Sequence, residues 1–227
     1  MLLVVVALHR LRRMTIGIIG AGALGSNVAR LLAKSGIQAT ISNKNGPGSL
    51  KPLIAELGPS IKAGTVEEAA SAEIVVVALR WVDVENVLTS LPAWNGRILI
   101  DGTNPVEFLD PASPDAKDPK NPLAAYGIKL VDLGGKHSSQ VLRELVPSAH
   151  VVKAFNHLDV RLLPEPVVAG GKRVLFYSGD DTAAKAEART LIERTGHFPV
   201  DLGSLDVGGP LASLPYGALA FNSFIKI

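Results

Sequence analysis

Cysteine is absent from the 227-residue chain, which excludes disulfides, thiolate nucleophiles and cysteine metal sites together and suits a reducing compartment, the cytoplasm by default. Charge of one sign is also lacking. The 23 basic and 21 acidic residues are dispersed and leave a formal net charge of +2, too little for an electrostatic footprint on nucleic acid. The apolar run at the start, Leu2 to Leu8, is too short to span a bilayer and is followed by His9, Arg10, Arg12 and Arg13, so no stable membrane insertion is expected. A secretory signal carries its charges before the apolar stretch. The reverse order predicts that residues 1–13 are a dispensable leader or an over-called start, with Met14 as the functional beginning and an extra strand or a membrane-surface anchor as the alternative. The histidines, at 9, 137, 150, 157 and 197, have neither helical pairing nor an acidic companion at ligand spacing, and no metal is expected.

From Thr15 onward, short β-branched runs alternate with helical patterns, which predicts an α/β Rossmann-type fold, a mostly parallel sheet with helices on both faces. Strands are expected at 15–19, 38–42, 61–63, 74–78, 97–101, 129–132, 150–154, 173–178 and 198–201. Helices are expected at about 23–35, 49–57, 65–71, 82–90, 138–146 and 182–195, with Gly36, Gly58 and Gly196 as C-caps. Asp110 to Pro122 carries four prolines and no apolar period, the signature of a surface loop. The β-α-β pattern beyond it is expected to extend the same sheet. The main α/β domain would then run over residues 14–201, and residues 202–227 would form a small C-terminal helical unit.

A buried-strand pattern, Thr15-Ile16-Gly17-Ile18-Ile19, leads directly into Gly20-Ala21-Gly22-Ala23-Leu24-Gly25 and then into an amphipathic helix. Gly20 permits the tight turn, Gly22 lets the backbone approach a pyrophosphate, and Gly25 lets the helix pack on the strand. The helix N-terminus supplies free N–H groups and the positive end of its dipole. Ala21 and Ala23 are small enough to keep the loop near the ligand, and Leu24 belongs to the apolar face of the helix.

An NAD-specific site ends its second strand on Asp or Glu, which holds the ribose 2′-OH. Here that strand ends Ser42-Asn43-Lys44-Asn45-Gly46, and no acidic residue occurs from Ser26 to Ala55. A 2′-phosphate would meet hydroxyl, amide and ammonium groups without repulsion, which favours NADP(H), with Lys44 as the best phosphate partner. The bland reading of this stretch is a polar turn. Other strand ends carry Ala78-Leu79-Arg80-Trp81, Asp101-Gly102-Thr103-Asn104 and Ala154-Phe155-Asn156-His157. Arg80, Trp81, Asn104, Asn156 and His157 are expected on the same rim as the glycine loop, since ligands bind outside the carboxyl ends of strands. Each has an ordinary explanation, as turn former, packing residue or solvated charge.

The segments GIIGAGALGSNVAR, ISNKNGPGSL, DGTNP, VVKAFNHL, VLFYSGDD, VDLGS and GGPLA together resemble the coenzyme F420-dependent NADP oxidoreductase family, over nearly everything from Met14 to the C-terminus. The resemblance implies hydride transfer between NADP(H) and a flavin or deazaflavin (coenzyme F420) acceptor, often in a homodimer. It further implies that Ser42, Asn43 and Lys44 meet the 2′-phosphate, that Ala78 and Trp81 flank the cofactor, and that Ala154 to His157 lie by the nicotinamide. His157 is the one weak catalytic candidate. The sequence departs from the family's pattern at Asn45, where arginine is common, and at Arg80, where proline is common; the added cation at Arg80 could favour an anionic substrate. Two other readings compete: an imine or small-carbonyl reductase of the pyrroline-carboxylate reductase type, and a non-catalytic NADP(H) sensor or regulatory subunit.

Overall fold

The computed structural model describes residues 14–227, so the expectations for residues 1–13 lie outside the described residues. The first half alternates strictly: β1 (Ile16–Ile19), α1 (Ala23–Lys34), β2 (Ala39–Ser42), α2 (Lys51–Leu57), β3 (Ile61–Ala63), α3 (Val66–Ala70), β4 (Ile74–Val77), α4 (Trp81–Ser90) and β5 (Ile98–Asp101). β1 and β4 are buried along their whole length, which is why they read as continuous apolar runs rather than alternating ones. After the short strands β6 (Val106–Phe108) and β7 (Ile128–Leu130), the second half contributes α5 (Ser138–Leu145), β8 (His150–Ala154), the two-residue β9 (Val167–Val168), β10 (Gly171–Gly179), α6 (Thr182–Arg194) and β11 (Phe198–Asp201).

The strand order β3-β2-β1-β4-β5-β8 is parallel throughout, and β10 then joins antiparallel to β8, with β11 parallel to β10 at the edge. This is the doubly wound arrangement, with its crevice where the order reverses at β1 and β4. Ile41, Ile18, Val76, Ile100 and Val152 stand in register across five strands and are fully buried in one apolar cluster. One residue further on, Ser42, Ile19, Val77, Asp101 and Lys153 form the next row, on the opposite face by the period of two. The row therefore begins and ends on polar side chains at the carboxyl edge.

Local chemistry accounts for most boundaries. Thr65 and Glu68 close a reciprocal capping box at the start of α3, the Ser/Thr-x-x-Glu signature. Asp181 caps α6 by accepting the Ala184 amide at 2.7 Å. Gly58 and, one residue past the caps of α1 and α6, Gly36 and Gly196 adopt positive φ, as helix C-termini favour.

Two expectations differ from the structure. The strand near 129 does not extend the main sheet: β7 (Ile128–Leu130) pairs antiparallel with β6 (Val106–Phe108) in a separate two-stranded ribbon, and β8 takes the place beside β5. β7 lacks buried residues, whereas a strand inside a parallel sheet is covered on both faces. Residues 202–227 are helical only in α7 (Leu205–Ala212); the chain then returns through β12 (Ile225–Lys226), which pairs with β10. Among the described residues, no helix is long and apolar enough to cross a membrane.

Candidate functional site

Two of the three loop glycines are demanded by the protein itself. Gly20 has φ 102°, and a Cβ there would lie 2.4 Å from the Ala78 carbonyl oxygen; a Cβ on Gly25 would lie 1.8 Å from the Gly20 oxygen. Gly22 differs, because a Cβ there would meet nothing within 4 Å. It borders open space at the start of α1, whose N-cap makes no side-chain hydrogen bond and whose first turn holds no acidic residue. Nearby polar side chains face carbonyls instead: Ser26 Oγ donates to the Ala21 oxygen and Asn27 Nδ2 to the Ala23 oxygen. The first-turn amides are thus left without side-chain partners, the condition for anion binding at a helix N-terminus. Ala21 and Leu24 pack partly against the main cluster, while Ala23 is exposed as the first helical residue.

The end of β2 adjoins this loop through the Gly20 amide, which donates to the Ser42 carbonyl at 3.0 Å. Ser42 is fully buried and donates its hydroxyl to the Ile18 oxygen; it ties β2 to β1, so the expectation that this hydroxyl faces a phosphate is not met. Asn43 Oδ1 accepts from the Asn45 amide and Ser49 Oγ, which shapes the turn. Lys44 is exposed, and no described residue hydrogen bonds or ion pairs with it. Among the described residues, it is a free cation beside the loop.

Across the switch point, Ala78 sits under Gly25 with its Cβ 3.3 Å from where a Gly25 Cβ would be. Leu79 and Trp81 are half-buried against the second apolar cluster. Arg80 pairs with Asp83 at 3.1 Å, so its cation is already answered and the expected attraction for an anionic substrate is weakened. Asn104 and Asn156 meet: Asn104 Nδ2 donates to the Asn156 carbonyl at 2.9 Å, and Asn156 Nδ2 donates to Asn104 Oδ1 at 3.2 Å and to the Ala212 carbonyl at 3.0 Å. Asn104 Oδ1 also accepts the Leu214 amide. The pair therefore binds the carboxyl ends of β5 and β8 to the C-terminal segment. Between Ala154 and Asn156, Phe155 holds φ 63° while buried, an unusual backbone for an aromatic residue and one that functional sites tend to hold.

Ala154 is fully buried, and so is His157, whose ring lies 4.8 Å from that of Phe176. The expectation of His157 on the rim is corrected: the positive-φ turn at Phe155 is followed by a chain that sinks under the C-terminal segment, where the His157 carbonyl accepts the Phe221 amide. Burial pushes the His157 pKa from 6.5 down to about 4, and the His197 pKa likewise to about 4. A neutral, fully buried ring is a poor proton donor. Its effect is on stability. At pH above 6.5 both rings are neutral in folded and unfolded chain and contribute no pH dependence; between pH 6.5 and 4 the unfolded chain takes up protons that the folded one refuses. Unfolding free energies from denaturant titrations are expected to be flat above pH 7 and to fall as pH drops to 4, by about 3 kcal/mol for each histidine; a His157→Phe variant losing none of that slope would refute the assignment.

Sequence reasoning passed over Asp101 and Lys153. Both are buried, 0% and 1% exposed, with Lys153 Nζ 2.9 Å from Asp101 Oδ2. Lys153 Nζ also donates to the Thr103 carbonyl and to Ser138 Oγ; Asp101 Oδ1 accepts the Thr103 amide and hydroxyl, and Asp101 Oδ2 accepts Ser139 Oγ. Burial pushes the Lys153 pKa down, against the pull of the Asp101 carboxylate. The network fixes the Thr103 backbone immediately before Asn104. Its only trace in the sequence is one charge at the end of each apolar run, in ILID and VVKA. A cavity of about 630 Å³ lined by Met14, Gly36, Gln38, Ser60 and Lys62 opens at the amino ends of β1 to β3, the wrong edge for a ligand of this fold.

Residues 15–105 match the model of the NADP oxidoreductase, coenzyme F420-dependent, family. The chain belongs to that family. A solved structure of a hypothetical protein from Sinorhizobium meliloti is 34% identical over 97% of this chain and 99% of its own, with a TM-score of 0.83. Another, provisionally assigned as an F420-dependent NADP reductase from an Arthrobacter species, is 27% identical, with coverages of 85% and 86% and a TM-score of 0.64. Metalloreductase STEAP3 of Rattus norvegicus is 26% identical over 88% of this chain and 36% of its own length. The chain spans little more than a third of the length of that curated relative. Members of the family are NADP-dependent oxidoreductases.

Proposed function

We propose that this protein is an NADP(H)-dependent reductase that passes hydride between NADPH and a planar flavin-like or deazaflavin acceptor such as coenzyme F420. The observation that carries the reading is the unpaired Lys44 at the end of β2, in a stretch free of carboxylates from Ser26 to Ala55, next to a glycine loop whose middle glycine faces open space. Lys44 would neutralise the adenosine 2′-phosphate, and the amides of Gly22 to Gly25 would hold the pyrophosphate. The nicotinamide supplies the hydride from its C4 when bound, and the single proton that completes the reduced acceptor comes from solvent. Hydride transfer between two stacked rings needs alignment more than an acid or base. The chain's own part is then to orient: Trp81 and Leu79 form a half-buried apolar wall, and the Asn104–Asn156 pair holds the C-terminal segment across the ends of β5 and β8. Homodimeric assembly and a cytoplasmic location belong to the same proposal.

The experiment is a pair of titrations and a turnover screen. Wild type should bind NADPH more tightly than NADH, and Lys44→Ala should lose about tenfold in NADPH affinity while leaving NADH binding unchanged, the loss expected for one charge-assisted phosphate contact. Equal affinity of wild type for both nucleotides would sink the NADP assignment. Tight NADPH binding without oxidation by F420, FMN, FAD or quinones would move the protein to the sensor reading.

A further inference from the structure

The Asn104–Asn156 pair leaves one polar atom unanswered. Asn156 is 4% exposed, and its Oδ1 is buried without a hydrogen-bond partner. The amide cannot be turned round to relieve this, because its Nδ2 is engaged by two acceptors, Asn104 Oδ1 and the Ala212 carbonyl; reversing it would set oxygen against oxygen twice. The free atom is therefore an acceptor, and a buried amide oxygen without a donor is costly. What the oxygen lacks is a hydrogen-bond donor at the carboxyl end of β8.

We infer that Asn156 Oδ1 is the acceptor for the amino group of the nicotinamide carboxamide, and so the residue that sets which face of the ring meets the acceptor. The inference rests on the NADP(H) reading above. Three features carry it. In a doubly wound sheet, the adenosine half of a dinucleotide lies over β1 to β3 and the nicotinamide half over the strands beyond the switch point, which here are β4, β5 and β8. The carboxamide brings one N–H2 donor and one carbonyl acceptor, and the orphan oxygen accepts only the first. Phe155, at φ 63°, redirects the chain at the residue just before Asn156. For a ligand to reach the buried oxygen, the backbone at Ala212 and Leu214, held by the same two asparagines, has to move aside.

The test compares NADP⁺ with its 3-acetylpyridine analogue, in which a methyl group replaces the carboxamide amino group, by equilibrium titration of the full chain. Wild type is expected to bind the analogue about tenfold more weakly, the worth of one buried hydrogen bond. In Asn156→Ala the ratio should fall to near one. Asn104→Ala loosens the C-terminal segment but leaves Asn156 Nδ2 anchored on the Ala212 carbonyl, which keeps the oxygen in place, so it should weaken both ligands alike and keep the ratio. The inference is overturned if wild type does not discriminate, if Asn156→Ala keeps the tenfold ratio, or if Asn104→Ala abolishes it. Should Asn156→Ala fail to fold, the carboxamide protons of ¹⁵N-labelled NADP⁺ bound to wild type decide: slow exchange with water supports the bond, and fast exchange overturns it. Binding of 2′-phospho-ADP-ribose, which lacks the ring, separates the two levels. If that fragment binds and the ring substitution is indifferent, only this inference falls; if neither it nor NADP⁺ binds, the NADP(H) reading falls with it.

Discussion

Lys153→Met is expected to lower stability by about 3–5 kcal/mol, because it leaves the Asp101 carboxylate buried and unpaired. Asp101 is fully closed to solvent, and the ammonium 2.9 Å away is its only cationic partner among the described contacts. For a chain of this size such a loss corresponds to a fall in melting temperature of roughly 6–20 °C. The double variant Asp101→Leu with Lys153→Met removes both charges and should recover most of the loss, since apolar replacements for buried ion pairs are often neutral or stabilising. A single variant that melts within about 2 °C of wild type would mean that the pair adds nothing beyond its neighbours' hydrogen bonds. The recovered double variant carries a second expectation. With Thr103 no longer held by the Lys153 ammonium, Asn104 should be less well positioned, and hydride transfer should slow more than nucleotide affinity falls.

Glycine substitutions in the phosphate loop should divide into two classes. Gly25→Ala places a Cβ 1.8 Å from the Gly20 oxygen and 3.3 Å from the Ala78 Cβ, and neither backbone can yield without moving α1 off the sheet. Melting temperature and NADPH affinity should both collapse. Gly22→Ala has no such conflict: φ is −75° and no atom lies within 4 Å of the new Cβ. Its melting temperature should stay within about 2 °C of wild type, while NADPH affinity falls at least about tenfold because the methyl occupies the space needed for close approach to the pyrophosphate. If Gly22→Ala binds NADPH as wild type does, the open space over Gly22 is not where the phosphates go.

Much of this was legible in the residues, and for a specific reason. Strands β1, β4 and β5 are covered on both faces and announce themselves as unbroken apolar runs; helices α1 and α6 carry periodic apolar faces and their own terminal signals. The glycine loop is local chemistry, since its turn, its packing and its open face are decided within six residues and one neighbouring strand. The lack of a carboxylate after β2 is likewise a fact of sequence alone. Those features determined the fold class, the loop and the free cation at Lys44.

Tertiary structure decided what depends on partners far along the chain. Asp101 meets Lys153 across 52 residues and Asn104 meets Asn156 across another 52, contacts that no local pattern encodes because each partner alone looks like an ordinary strand end. β7 left the main sheet because it has no second covered face, and Ser42 and His157 turned inward because a hydrogen bond to Ile18 and the packing of the C-terminal segment outweighed their polarity. The glycine loop and Lys44 were set by the sequence itself, since a turn and an unopposed charge need only their neighbours. The shape of the site around Asn156 was set by the fold, since a buried amide finds its partners only once distant strands and the C-terminal segment have packed around it.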